Sequence, residues 1–281
     1  MRVRRSFAPH PHPENPPPVA KRFKGSITAV PIIGGYTAQF LANDCEKRLY
    51  GGSIFNINYR FKKNFVAEAT TAVLKESVRF NYFGEYGKAS AKGFDDVVIN
   101  IYYNFFPQKK GQIITHIIAG FPTSRKLSIF ERHGNMVGTK LYSLGGWLEG
   151  SYTFYQAIQS SIAGIIQARC IHYFSRSVFP LLPCESILHP GNVTDLFIAL
   201  HYQYKRHHAE TGYDATLLSN ERISTALKIA TSKPFVRNSI YAKYIYTMDQ
   251  GAVGCGISGQ FVNNPFRSKG FSAWTSGTVL Y

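Results

Sequence analysis

The segment LFIALHYQYK, residues 196–205, alternates large apolar side chains with smaller or polar ones. Leu196, Ile198 and Leu200 occupy every second position, and Ala199 and His201 are among the residues between them. Successive side chains of a β-strand point to opposite faces of the sheet. The segment is therefore predicted to be a strand with one apolar face and one polar face.

The same two-residue period recurs from about residue 53 to the end of the chain. Phe55, Ile57 and Tyr59 alternate with asparagine and arginine, and Val253 and Ile257 alternate with glycine and serine. Short turn-forming stretches separate these segments, and only residues 156–171 leave a short helix open beside a strand pair. The pattern predicts an antiparallel up-and-down sheet, sandwich or barrel.

Closure of the sheet is expected because so many strands would otherwise leave exposed edges. Residues 26–281 form the strand-rich domain, after a basic, proline-rich tail at residues 1–25 that is predicted to be flexible. At roughly 13–14 residues per strand and turn, this length gives about 18–19 strands. The predicted fold class is all-β, a closed antiparallel up-and-down transmembrane β-barrel.

Three features favour lipid rather than a protein core as the environment of the apolar face. Aromatic residues concentrate near strand ends, as girdles at a membrane interface do; they include Tyr102, Tyr103, Phe105, Phe106, Tyr202 and Tyr204. Glycines 254, 256 and 259 lie inside a strand, whereas the small core of a soluble protein would need large side chains there. The chain also ends within a strand on an aromatic residue. A soluble β-sandwich is the alternative.

The charge balance is strongly basic, with 32 Lys and Arg against 16 Asp and Glu. Such an excess indicates a polyanion, an anionic membrane surface or anionic solutes as a partner. The N-terminal residues contain six prolines where a secretory signal would have an apolar run, so we expect no export across a bacterial inner membrane. The four cysteines lack metal-site spacing and are expected to be free thiols.

Residues 254–259 match the GxGxxG pattern, but the dinucleotide interpretation needs a helix after the glycines and an acid about 20 residues further on. The remaining residues alternate as strands do, so this interpretation is rejected. The adjacent His207 and His208 would point to opposite faces of a strand and could not chelate one metal together. With no nucleophile, base and acid in a recognisable order, no enzyme activity, cofactor or metal is expected.

Basic residues in phase with the polar face are the candidate pore-lining set: Arg60, Lys75, Arg79, Lys228 and Lys243. If the polar face lines a lumen, these side chains would create a positive potential that favours anions. A lumen that conducts basic polypeptide segments would also need acidic patches, and Glu68, Glu76 and Glu149 are the few acids available.

The segment from Asn238 to Tyr281 resembles the C-terminal strands of eukaryotic mitochondrial porin-type barrels. The shared features are a basic alternating strand with Ala242 and Lys243, a Gly-x-Val turn at 251–253, and Pro265 before the last strand. This superfamily contains the voltage-dependent anion channel and the pore subunit of the outer-membrane protein translocase. The segment SLGGWLEGSY, residues 143–152, and the proline-rich tail are more similar to the translocase pore.

The resemblance implies a channel-forming barrel of the mitochondrial outer membrane, with a protein-conducting import pore as the main hypothesis. A metabolite or anion porin of the same superfamily is an alternative, as are a soluble capsid-type or nucleic-acid-binding protein and a bacterial outer-membrane transporter. The segment GFDDVVINIYYNFF, residues 93–106, is similar to strands of such transporters. Expected partners are the lipid bilayer, other subunits of a membrane complex or an oligomer, and a transported polypeptide or anionic metabolites.

Overall fold

The structure is a computed structural model of the 281-residue chain. It describes residues 24–39, 45–62, 64–82, 85–105, 110–123, 141–178, 186–224, 229–231, 233–262 and 267–281. Most of the basic tail, residues 1–23, lies outside this part of the chain. No helix in the described ranges is long and apolar enough to cross a membrane.

The described residues form 17 β-strands in two sheets. Their bounds are β1 Gly25–Gln39, β2 Cys45–Lys62, β3 Phe65–Tyr82, β4 Glu85–Phe94, β5 Val97–Asn104, β6 Gly111–Phe121, β7 Ser143–Gln156, β8 Ser160–Tyr173, β9 Arg176–Val178, β10 Ser186–His189, β11 Val193–Tyr204, β12 His207–Leu218, β13 Arg222–Ser224, β14 Ile229–Thr231, β15 Phe235–Met248, β16 Gly251–Val262 and β17 Arg267–Leu280. Residues 156–171, for which the sequence allowed either a short helix or a strand pair, contain most of strand β8 and no helix.

The larger sheet closes into a 12-stranded antiparallel β-barrel, because β17 pairs with β1 and each neighbour along the sheet pairs in turn. β4 and β5 together form one wall strand beside β3, with a break at Asp95 and Asp96. The fold class is confirmed, but the predicted count of about 18–19 strands is too high. Residues 25–281 shared among twelve strands give about 21 residues per strand and connection rather than 13–14.

The two ends of the barrel differ in the length of their connections. At one end, which we call the short-turn end, hairpins such as Lys205–Arg206 and Asp249–Gln250 join neighbouring strands, and both Gly25 and Tyr281 lie there. At the other, the long-loop end, residues 122–142, 174–192 and 219–234 connect the wall strands. The small sheet of β9, β10, β13 and β14 is built from the second and third of these connections. Transmembrane barrels have this asymmetry of short turns and long loops.

The register assigns alternate residues of every wall strand to the outside and the inside. Paired residues of an antiparallel ladder share a face, so exposed Ile27 and Ile57 form one outward pair, and buried Ser26 and Asn58 form an inward pair. Large apolar side chains are 37–64% exposed over most of the outer surface. The apolar face therefore points outward, as it does in a barrel that meets lipid.

An aromatic girdle surrounds the outside of the short-turn end, where many of its rings contact one another. Phe65 lies 6.1 Å from Phe61 and 6.4 Å from Tyr103, and Tyr103 packs edge-to-face against Phe105 at 4.8 Å. Tyr202 and the last residues of β11 continue the same band. Of the aromatic residues expected in girdles, Tyr102 instead faces inward, and Phe106 lies outside the described residues.

Candidate pore lining

The inner wall of the barrel is polar and charged. Its described side chains include seven carboxylates: Glu46, Glu68, Glu76, Glu149, Asp195, Glu210 and Asp214. It includes five permanent cations: Arg48, Arg60, Arg169, Arg237 and Lys243. On the outward face of the wall strands, the described residues include no Asp or Glu at all. Although the whole chain has a formal charge of +16, these described inner-wall side chains have an excess of two negative charges.

The first inward ion-pair cluster lies on β1, β2 and β3 towards the long-loop end. Arg48 donates from Nε to Glu46 and from Nη1 to Glu76 Oε1 at 2.8 Å. Its guanidinium also lies 5.7 Å from the centre of the Tyr36 ring. All three charged side chains are at least 92% buried. One arginine is therefore shared between two acids in this cluster.

A second cluster spans β8, β11, β12 and β15. Arg169 donates to Asp195 Oδ2 from both Nε, at 2.6 Å, and Nη2, at 2.5 Å. Arg237 donates to Thr216 Oγ1 at 3.1 Å, and the Thr216 hydroxyl in turn donates to Asp214 at 3.3 Å. Charge-assisted pairs of this kind fix side chains in one geometry. This part of the wall therefore has balanced charges.

A third cluster surrounds Glu210 on β11, β12 and β15. Lys243 Nζ lies 3.0 Å from Glu210 Oε1, and His201 Nδ1 lies 3.2 Å from Glu210 Oε2. The Tyr241 hydroxyl donates to the same carboxylate. His208 Nδ1 is 3.3 Å from His201 Nε2, so two inward imidazoles extend the cluster. A metal would compete with Lys243 for this acid, and the described residues contain no group of three or more His, Cys, Asp or Glu suited to a metal ion.

Glu68, on β3, is bound by neutral donors. Its Oε1 accepts from Asn56 Nδ2 at 2.6 Å and from Thr70 Oγ1 at 3.2 Å, and no cation among the described residues pairs with it. Glu149, on β7, accepts from Gln167 Nε2 at 2.7 Å. Neutral hydrogen bonds orient a carboxylate without cancelling its charge. In its ionised form Glu68 therefore presents an uncompensated negative charge on the lumen wall.

Between these two acids, His116 stacks on Trp147 with ring centres 3.7 Å apart. His116 Nδ1 lies 3.3 Å from Asn100 Oδ1, whereas His116 Nε2 and Trp147 Nε1 have no hydrogen-bond partner among the described residues. Buried polar atoms in native proteins are almost always satisfied by protein or water. Both atoms face inward, so water or a polar solute in the lumen would satisfy them.

The structure separates the five residues proposed from the sequence to line a pore. Arg60 and Lys243 lie on the inner wall, and Lys243 pairs with Glu210. Lys75 and Arg79 are exposed on the outward face of β3, one residue out of phase with the lumen positions. Lys228 lies outside the described residues. The inward acids Glu46, Asp195, Glu210 and Asp214 were missed, although each alternates in phase with inward neighbours that the sequence already displays.

No family model and no curated protein matches the chain. Among solved structures, an outer membrane channel from Pseudomonas putida F1 aligns with a TM-score of 0.68 at 9% identity, over 94% of this chain and 97% of that one. The transport unit of the autotransporter AIDA-I from Escherichia coli aligns with a TM-score of 0.59 at 8% identity, over 93% and 91%. The chain has the fold of outer-membrane β-barrels.

These similar structures are bacterial outer-membrane proteins and do not support the resemblance to the mitochondrial superfamily. A porin-type barrel is supported, whereas membership of the mitochondrial family, the mitochondrial location and the import role are not. The alternating strands that suggested the family are common to all membrane barrels, because a lipid-facing and a water-facing side impose the same period on any of them. The sequence similarity is therefore explained by the barrel architecture alone.

Proposed function

We propose that this chain forms a water-filled channel in an outer membrane of bacterial type and passes small polar solutes. The observation that supports the proposal is the inverted pattern of the barrel, with apolar side chains outside and charged, hydrogen-bonded side chains inside. A soluble barrel would bury its apolar face, so this pattern supports lipid around the wall and water within it. The two similar barrels of outer-membrane proteins support the same assignment.

The channel is expected to prefer cations, in contrast to the anion preference that the basic residues suggested. Seven carboxylates face five permanent cations on the described inner wall, and a lumen with low-dielectric walls amplifies the field of such an excess. Arg60 and Lys243 remain candidate lining residues, but Glu210 offsets Lys243. Glu68 contributes most clearly to the preference because its partners are neutral.

The test is conductance in a planar lipid bilayer with a KCl gradient across it. The purified full chain should give discrete current steps and a reversal potential of the sign for K⁺ over Cl⁻. Glu68→Gln removes one of the two excess negative charges, so it should move the reversal potential towards zero. Lys75→Gln, seven residues along the same strand but on the outward face, is the matched control and should leave the potential unchanged.

Two results would contradict the proposal in different ways. Absence of discrete steps from correctly folded protein would overturn channel activity itself. Steps with Cl⁻ preference would retain the channel and overturn its selectivity, and the metabolite or anion porin would then be the better description. A shift with Lys75→Gln that is as large as that with Glu68→Gln but opposite in direction, since a positive charge is removed, would show that charge anywhere on the chain, and not in the lumen, sets the potential.

A further inference from the structure

The outward face at the long-loop end carries a patch of basic side chains. We call this group the rim patch; it consists of Lys47 on β2, Lys75 and Arg79 on β3, Lys88 and Lys92 on β4, and Lys269 on β17. All six side chains are exposed. None of them has an ion-pair partner among the described residues, whose outward-facing strand positions contain no carboxylate.

The strand register brings these charges side by side. Lys47 pairs with Arg79 across β2 and β3, and Arg79 pairs with Lys88 across β3 and β4. Four residues nearer the short-turn end, Lys75 pairs with Lys92. Directly opposed residues of an antiparallel ladder have Cβ atoms about 4.5–5.5 Å apart, and like charges there are destabilising. The rim patch therefore has repulsion that a bound anion would relieve.

The height of the rim patch coincides with the lipid headgroups. Phe65 marks the girdle at the short-turn end, and Lys75 lies ten residues further along β3. A tilted strand crosses the hydrocarbon core in about 9–11 residues, so Lys75 reaches the opposite interface. Arg79 stands about 10 Å higher, given a rise of about 3.3 Å per residue and a tilt of about 40°.

Protection of an open sheet edge explains only part of the rim patch. Lysines are common on edge strands because they discourage pairing with another chain, and β4 has no second partner among the described strands. Lys47 and Lys269, however, lie on β2 and β17, which are paired on both sides. Thr37 of β1 pairs with both of them, so they continue the row around the barrel.

We propose that the rim patch binds the phosphate groups of anionic lipids in the leaflet at the long-loop end. Lysine and arginine bind phosphate through charge-assisted hydrogen bonds. Each basic side chain near an anionic membrane surface contributes about fivefold to binding. The inference needs only the membrane barrel and does not depend on channel activity.

The test measures which lipid the purified full chain retains from mixed micelles of phosphatidylglycerol and phosphatidylcholine, by native mass spectrometry. The patch variant is Lys47→Gln, Arg79→Gln and Lys88→Gln together. The matched control is Lys62→Gln, Lys110→Gln and Lys205→Gln, which removes three exposed charges from the short-turn end. Wild type and control should enrich phosphatidylglycerol, and the patch variant should lose at least tenfold of that enrichment.

Equal enrichment in the patch variant and wild type would overturn the proposal, as would an equal loss in the control. Inorganic phosphate, added at the ionic strength of a chloride reference, should leave the lipid bound; displacement by phosphate but not chloride would indicate a site for the free ion instead. If the triple variant fails to fold, Lys88→Gln with Lys92→Gln on β4 tests the same face. This double variant should lose about 25-fold if the two contributions, about fivefold each, are independent.

Discussion

The orientation of the apolar face is tested most directly by an arginine at Ile198, on β11. The Ile198 side chain is 50% exposed, and its outward neighbours Leu196 and Leu200 are 52% and 49% exposed. Ile198 is six residues from the girdle residue Tyr204, or about 15 Å along the membrane normal for a strand tilted by about 40°. This is half of a hydrocarbon core of about 30 Å, so Ile198 lies near the bilayer midplane.

The expected loss of stability depends on how deep in the membrane the substituted residue lies. An arginine on the lipid face of a barrel costs about 2–4 kcal/mol at the midplane and about 0–1 kcal/mol near the interfaces. Thr194 is outward on the same strand, four residues from Ile198 and about 10 Å nearer the long-loop interface. We expect Ile198→Arg to lower the free energy of unfolding by about 2–4 kcal/mol and Thr194→Arg by about 0–1 kcal/mol. A difference of about 2–3 kcal/mol changes the folding equilibrium constant roughly 30- to 150-fold.

The assay is reversible unfolding in guanidinium chloride from phosphatidylcholine vesicles, followed by tryptophan fluorescence. Wild type, Ile198→Arg and Thr194→Arg are compared at the same protein to lipid ratio. Equal costs at the two positions would refute the depth argument. A monodisperse Ile198→Arg protein that is more stable than wild type in buffer without detergent would refute the lipid-facing orientation altogether.

Two further predictions concern β16. Gly256 faces inward beneath the Trp274 indole, which an added Cβ would overlap, whereas a Cβ on Gly259 would meet no atom within 4 Å. In the same unfolding assay, Gly256→Ala should therefore cost about 1–3 kcal/mol. Gly259→Ala should change stability by less than about 1 kcal/mol. Comparable losses would contradict the packing. Cysteine labelling tests which face of the strand meets water. In a chain whose other cysteines are replaced by serine, Cys255 should resist a membrane-impermeant thiol reagent. A Ser258→Cys variant in which Cys255 is also replaced should react with the reagent, because its side chain faces the lumen. Rapid labelling of Cys255 would place its face in water.

Much of the wall could be predicted because alternation is local. Ile198 and Ile257 were placed on the apolar face from their neighbours alone, and the structure confirms both as exposed on the outside. The phase error at Lys75 has an equally local cause. β3 contains only alanine and threonine at 69–72, where neither phase is clearly apolar, so the side on which its lysine lies is weakly specified.

The polar clusters of the lumen could not be predicted in this way. Arg48 and Glu76 are on neighbouring strands, and their pairing depends on the β2–β3 register. Arg169 and Asp195 meet only because residues 174–192 return the chain beside β8. A single sequence shows which residues share a phase, but it does not show which of them are opposite each other. The net charge of the described inner-wall side chains can therefore be counted only in the assembled barrel.

The sequence by itself determined that the chain consists of two-faced strands, because side-chain direction alternates with every residue of extended backbone. Only the tertiary structure decided the number of strands and the closure of the sheet. Closure joins β1 to β17, where the Thr28 and Thr278 hydroxyls lie 2.9 Å apart although 250 residues separate them. That contact depends on the summed lengths of all intervening strands and connections, which no local period records. The same closure places more carboxylates than permanent cations on the described inner wall and a row of lysine and arginine side chains on the outer rim of a chain that is basic overall.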